Sequence, residues 1–241
     1  MAKRLEDKVV CITGAGRGLG RALALAFDAE GARLSLGART SPEIDELAQQ
    51  CHDAIAVQTD VRIAGEVQSL IDATVGEFGR IDVMINNAGL AVYGAVGTYT
   101  PNEIEAILDT NVKGVIHGCQ AAFNVMKEQR GGFIINISSI AGKLHLPNES
   151  VYCASKWAVT GYTGVLAMEA RKHNIRVCNV CPGGIDTPFW ATQEVLPFPS
   201  HLDPERDFMR PEEVARSVVE LVCTSGAYLV SEIVMQPLIT T

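Results

Sequence analysis

Val9-Val10-Cys11-Ile12-Thr13-Gly14-Ala15-Gly16-Arg17-Gly18-Leu19-Gly20-Arg21-Ala22-Leu23-Ala24-Leu25-Ala26-Phe27 is the stretch on which the fold turns. Val9 to Thr13 is a short apolar run, the pattern of a strand buried in a parallel sheet. Arg21 to Phe27 reads as a buried helix, and four glycines in seven residues lie between. Strand, glycine turn, helix is the unit that lets backbone approach a pyrophosphate and seat it on helix N-terminal amides. The spacing is T-G-x-x-x-G-x-G through Thr13, Gly14, Gly18 and Gly20, with Leu19 standing where G-x-G-x-x-G has its third glycine. A tight strand-to-helix turn without a ligand is the plainer alternative, and the glycine density favours the phosphate loop.

Outward from this unit, strands and helices alternate. Leu34 to Gly37 is the next strand, followed by Ala38, Arg39 and Thr40. A site for NAD places an acid at this strand end for the ribose 2′-hydroxyl. Here no acid stands there, and Arg39 with Arg17 would grip a 2′-phosphate, so NADP(H) is expected. Pro42 to Cys51 reads as a helix and Ala54 to Gln58 as a strand ending at Asp60-Val61. The Asp60 carboxylate would accept from an adenine amino group or cap the next helix. Helix Ala64 to Phe78 leads to strand Ile81 to Ile85 and to the polar turn Asn86-Asn87-Ala88-Gly89, suited to hold backbone and ribose. Glu103 to Met126 is helical but interrupted at Thr110 to Gly114, which is poor helix material. The interruption is either a break between two helices or a kink that turns a polar group toward a site. Gly132 to Ile137, Ile175 to Val180 and Leu229 to Met235 complete seven strands, with helices at Tyr152 to Lys172 and Pro211 to Val222. The expectation is one doubly wound α/β domain over 1–241: a Rossmann-type, mainly parallel seven-stranded sheet with helices on both faces.

Composition narrows the rest. A net charge of −8 argues against nucleic acid as a main partner. Seven cysteines without framework spacing fit a reducing compartment, and no apolar stretch approaches a membrane span. The charged start, Met1 to Asp7, does not read as a signal peptide. A cytoplasmic protein without a membrane partner is expected. The five histidines show no metal spacing, so no metal is expected. Cys178 and Cys181 have redox-motif spacing but fall in and just after a buried strand, where cysteine is a small hydrophobe.

Tyr152 and Lys156 stand at i and i+4, on one helix face. A cation beside a phenol lowers its pKa toward the range of proton transfer. Taken with the glycine loop, Asp60, Asn86-Asn87-Ala88-Gly89, Asn111, Ser139 and Pro182-Gly183, this pair makes nearly the whole chain resemble the short-chain dehydrogenase/reductase family. The resemblance implies Tyr152 as general acid in carbonyl reduction and base in alcohol oxidation. Lys156 would lower the Tyr152 pKa and hold the nicotinamide ribose, and Asn111 would hold a water linking Lys156 to solvent. Ser139 would donate to the substrate oxygen; Ser138 competes for that role, and the thirteen-residue spacing to Tyr152 favours Ser139. The cofactor-binding set is Gly14, Gly16, Arg17, Gly18, Leu19, Gly20, Arg39, Thr40, Asp60, Val61, Asn87, Ala88, Gly89, Tyr152, Lys156, Pro182, Gly183, Ile185 and Thr187.

Substrate choice should come from a partly aromatic lid, Ile185 to Met209, with Gly184, Phe189 and Trp190 as contacts and His145 as a further one. The implied function is NADP(H)-dependent interconversion of a ketone or aldehyde and an alcohol. The siblings weighed against it are a 3-oxoacyl-thioester reductase and a non-catalytic NADP sensor. The resemblance also implies a homotetramer or homodimer.

Overall fold

In the computed structural model, strand β1 (Val9–Thr13) is wholly buried at the centre of the sheet, as its apolar run requires. The structure describes residues 3–238; Met1, Ala2 and residues 239–241 of the expected domain lie outside the described residues. In chain order there follow α1 (Gly18–Ala29), β2 (Arg33–Ala38), α2 (Ser41–Gln50), β3 (Ala54–Gln58), α3 (Ala64–Phe78), β4 (Val83–Asn86) and α4 (Pro101–Leu108). A π-helical turn (Asp109–Lys113) joins α4 to α5 (Gly114–Gln129), and β5 (Gly132–Ile137), α6 (Ser150–Ala170), β6 (Ile175–Pro182), α7 (Pro204–Asp207), α8 (Pro211–Val222) and β7 (Glu232–Met235) complete the chain.

The seven strands run in the order β3-β2-β1-β4-β5-β6-β7, and every pairing is parallel. Alternate strand residues serve opposite faces. Val10 and Ile12 join a core with Leu23 and Phe27 of α1, Ile44 of α2 and Val218 of α8. Cys11, Met84 and Ile134 join a second core with Leu70 of α3, Cys119 of α5 and Val159 of α6. This is the doubly wound fold expected from the sequence. The direction of winding reverses between β1 and β4, and the crevice beyond the strands' carboxyl ends at such a point is where ligands bind in these sheets.

Two boundaries differ in instructive ways. Helix α1 starts at Gly18 rather than Arg21, so Gly18 and Gly20 form its first turn. Strand β7 starts at Glu232 rather than Leu229, because this edge strand pairs only from Asn179↔Glu232 to Pro182↔Met235.

Candidate active site

A cleft of about 730 Å³ opens at the carboxyl ends of the strands. Its glycine wall is shaped by close approaches. Gly14 has φ +64°, and a Cβ there would lie 2.8 Å from the Ala88 Cα. A Cβ on Gly20 would lie 2.0 Å from the Gly14 carbonyl oxygen. The Asn87 amide donates to the carbonyls of Thr13 (3.0 Å) and Gly14 (3.1 Å), so Asn87 clamps the loop, the backbone-holding role expected of this polar turn. No side chain caps α1 and no acid stands in its first turn, which leaves its amides facing the cleft beside Leu19 and Gly20.

At the far end of this wall, Arg17, Arg39, Thr40, Asp60 and Val61 line the cleft together. Neither Arg17 nor Arg39 makes a guanidinium hydrogen bond or ion pair among the described residues, and Arg39 is held only by the Gln58 amide on its carbonyl. Asp60 is engaged: it accepts from the Arg62 backbone amide and guanidinium, which holds its carboxyl below the usual range. It does not cap α3, whose N-cap is Ile63. Glu43, in the first turn of α2, also lines this end, its carboxylate lying where a Cβ on Gly16 would be 2.6 Å away. The sequence reading of an acid-free strand end holds at Ala38 but overlooked this carboxylate one turn into the next helix.

The opposite end is built by α6 and the segment after β5. Tyr152, Lys156 and Ser139 all line the cleft. Lys156 is buried at 4% exposure; its Nζ donates to the Ile137 carbonyl (3.0 Å) and lies 5.6 Å from the Tyr152 ring centroid. The Ser138 hydroxyl donates to the Lys156 carbonyl (3.2 Å), tying β5 to α6. The Ser139 hydroxyl accepts from the Ala141 amide (3.0 Å) and interacts with the Tyr152 phenol, lowering its pKa. Burial nevertheless dominates both ionisable groups. It pushes the Tyr152 phenol above its ordinary value and Lys156 down to about 8. Desolvation is thus the largest influence on the Tyr152 phenol in the protein by itself.

Asn111 sits in the π-helical turn, fully buried and behind the cleft rather than on its wall. Its amide exchanges two bonds with the Leu90 backbone (both 2.8 Å) and donates to Ser155 Oγ (3.0 Å). The interruption is thus a kink that aims a side chain, as one of the two readings held, and both amide protons of that side chain are taken by protein groups. Gly114, which follows the turn, packs so close to the approach to α3 that a Cβ there would lie 2.7 Å from Val61 Cγ2.

His145 is not in the cleft. It stacks on Trp157 (5.6 Å, 14°) in a separate shallow pocket with Pro147 and Ser150, while its neighbour Leu146 faces the cleft. Apart from Asn111, all the other expected site residues, including Pro182, Gly183, Gly184, Ile185 and Thr187, line this cleft. Over the Tyr152 end lies an aromatic cluster. Trp190 meets Phe189, Phe198 and Phe208 edge-on and donates Nε1–H to the Ile185 carbonyl (2.7 Å). Tyr93, unnoticed in the sequence, stacks on Trp190 (6.1 Å) and meets Tyr152 edge-on (5.8 Å). Glu149 was overlooked as well, although its place three residues before Tyr152, one helical turn away, is a readable signal.

Elsewhere, burial pushes the Cys178 and Cys181 thiols up to about 12 and about 11, which suits packing rather than redox chemistry. Among the described residues no group of three His, Cys, Asp or Glu side chains converges as metal ligands, and no helix is long and apolar enough to cross a membrane.

The family described as short chain dehydrogenase matches residues 8–195. An uncharacterized oxidoreductase of Staphylococcus saprophyticus is 34% identical, over 97% of this chain and 97% of its own length. A sepiapterin reductase of Chlorobaculum tepidum is 32% identical, over 95% of this chain and 96% of its own. Among solved structures, an alcohol dehydrogenase of the archaeon Thermococcus sibiricus, complexed with 5-hydroxy-NADP, superposes with a TM-score of 0.86 at 25% identity, over 94% of this chain and 95% of that one.

Proposed function

The chain belongs to the short-chain dehydrogenase family of oxidoreductases, and from that premise we propose that it interconverts a ketone or aldehyde and an alcohol using NADP(H). One observation carries the reading: Tyr152, Ser139 and Lys156 meet on the wall of the same cleft that holds the uncapped glycine turn. The turn fits a dinucleotide, since the close approach at Gly20 leaves backbone amides, not side chains, facing the cleft. A bound NADP(H) supplies or accepts the hydride.

The chain's own residues do the rest. Tyr152 gives its proton to the substrate oxygen in reduction and takes it back in oxidation. Ser139 donates to the same oxygen as charge develops. Lys156, already anchored on the Ile137 carbonyl, holds the ribose side of the site. Asn111 acts through others, fixing the Leu90 backbone next to Gly89. The Trp190 cluster closes over the reacting end as a lid spanning residues 185–209 and excludes water.

The preference for NADP(H) rests on the guanidinium groups of Arg17 and Arg39, unpaired among the described residues, outweighing the Glu43 carboxylate at that end, where the Asp60 carboxylate is already engaged by Arg62. The alcohol dehydrogenase of Thermococcus sibiricus complexed with 5-hydroxy-NADP and the sepiapterin reductase of Chlorobaculum tepidum both agree with this reading. The outer face of α6, exposing Trp157, Val165 and Met168, is the surface we assign to self-association. The test is oxidation of NADPH and of NADH, followed by nicotinamide absorbance, against acyl thioesters, β-keto esters, diketones, quinones and aldehydes. NADPH-dependent turnover on one class supports the reading. Tight NADPH binding with silence across the panel would favour the non-catalytic sensor instead.

A further inference from the structure

Glu149 lies immediately before α6, one turn ahead of Tyr152 and on the same face. The residue is 7% exposed and lines the cleft, yet its carboxylate makes no hydrogen bond or ion pair among the described residues. The groups that face it are the phenols of Tyr93 and Tyr152 and the thiol of Cys153; none is a cation. Its backbone is held firmly. Asn148 before it takes a left-handed conformation (φ 63°), and the Asn148 carbonyl accepts from the Gly94 amide (2.8 Å) and the Tyr99 hydroxyl (3.2 Å). Glu149 itself bridges to Gly94, and its carbonyl accepts from the Cys153 amide (2.7 Å). A rigid frame thus carries an acid with no internal partner to the reacting end of the cleft. Desolvation alone raises its carboxyl to about 7. Such a group is costly in a fold unless something outside the chain satisfies it.

We propose that Glu149 is a substrate-recognition residue that accepts a hydrogen bond from a hydroxyl or N–H carried by the substrate a few bonds from the reacting carbonyl. This rests on the reading above, which places that carbonyl at Tyr152 and Ser139. Tyr93, Trp190, Phe198 and Phe208 offer ring faces and edges to the rest of the molecule. The substrate class is therefore a flat or aromatic hydroxy- or amino-substituted carbonyl compound. A desolvated acceptor left empty by an analogue without the donor discriminates strongly against that analogue.

The experiment compares 2-hydroxyacetophenone with 2-methoxyacetophenone, in which a methyl group replaces the donor proton. Dissociation constants are measured by calorimetry on the NADP-loaded full chain, and kcat and KM with NADPH, for the wild type, Glu149→Gln and Glu149→Leu. Expected is roughly tenfold or tighter binding of the hydroxy ketone by the wild type, a hydrogen bond to a charged group being worth at least that much. Glu149→Gln, which still accepts hydrogen bonds, retains most of the preference, and Glu149→Leu brings the two ketones to equal affinity. Equal binding of both by the wild type, no binding of either, or an equal loss for both in Glu149→Leu overturns the proposal. Discrimination by calorimetry without turnover of either ketone upholds recognition by Glu149 and sinks the catalytic reading. Turnover without discrimination does the reverse.

Discussion

Replacing Glu149 with Gln should stabilise the protein at alkaline pH and leave it unchanged in acid. The substitution keeps the shape and removes the charge, so its effect isolates the cost of burying a carboxylate without a partner. Burial raises this carboxyl from 4.5 to about 7 in the folded chain. The folded state therefore holds the proton more tightly than the unfolded one, and between these values it binds more protons. Stability from this group is complete below about 4.5 and is lost as the pH rises through about 7. The gap corresponds to about 3 kcal/mol at its limit. Because one side of the group faces an open cleft, roughly 1–3 kcal/mol is the working range. The assay is urea unfolding of wild type and Glu149→Gln without ligand at pH 5, 6, 7 and 8, at one fixed protein concentration and unchanged m. Other titrating groups cancel in the difference. The two proteins should nearly coincide at pH 5, and the Gln variant should be the more stable at pH 8. A constant difference across the range would refute the reasoning, and so would a wild type that is more stable at pH 8; either result means the carboxylate already has a partner in the folded chain.

The remaining predictions follow from the same distances. Tyr152→Phe should lower kcat by about 10²–10⁴-fold, the usual reach of a positioned proton donor, with NADPH still bound by fluorescence titration. Arg39→Asp should move the ratio of kcat/KM for NADPH over NADH toward NADH by roughly a hundredfold, since a carboxylate replaces a cation where a 2′-phosphate would lie. An unchanged ratio would remove the basis of the cofactor preference. Lys156 has the opposite sign to Glu149. Its folded value of about 8 lies below 10.5, so the folded state binds fewer protons in that window and stability rises with pH through it. Lys156→Met should therefore be more stable than wild type near pH 7, and denaturant titrations should show the gap shrinking by pH 10. Gly20→Ala would put a methyl 2.0 Å from the Gly14 carbonyl, so the turn must shift and the rise in Tm on adding NADPH should largely vanish.

The architecture was readable because its signals are local and repeated. The buried runs at Val9–Thr13 and Gly132–Ile137 and the glycine turn between β1 and α1 each announce a parallel strand or its exit. The features that escaped reading all depend on what the fold brings together. Glu43 reaches the cofactor end from the first turn of the helix after β2, a place no strand-end pattern reports. Tyr93 comes to Tyr152 across 59 residues of chain. His145 and Leu146 stand side by side, and of the two only Leu146 lines the cleft.

The least legible feature was energetic. Two residues four apart on a helix state that an ammonium and a phenol are neighbours, but not how dry their surroundings are. In the folded chain, desolvation moves Tyr152 up and Lys156 down, away from the poised pair that spacing alone implies. Glu149 is shifted by the same dryness, and it adds a further upward push on Tyr152. A substrate donor bound to Glu149 would favour its charged form and so extend the carboxylate's push on Tyr152 to lower pH. Substrate recognition and the acidity of Tyr152 are then coupled through one carboxylate. A shift of the pH profile of kcat between the hydroxy and methoxy ketones, present in the wild type and absent in Glu149→Leu, is the expected mark of that coupling. Identical profiles for both ketones in the wild type would show the two to be independent.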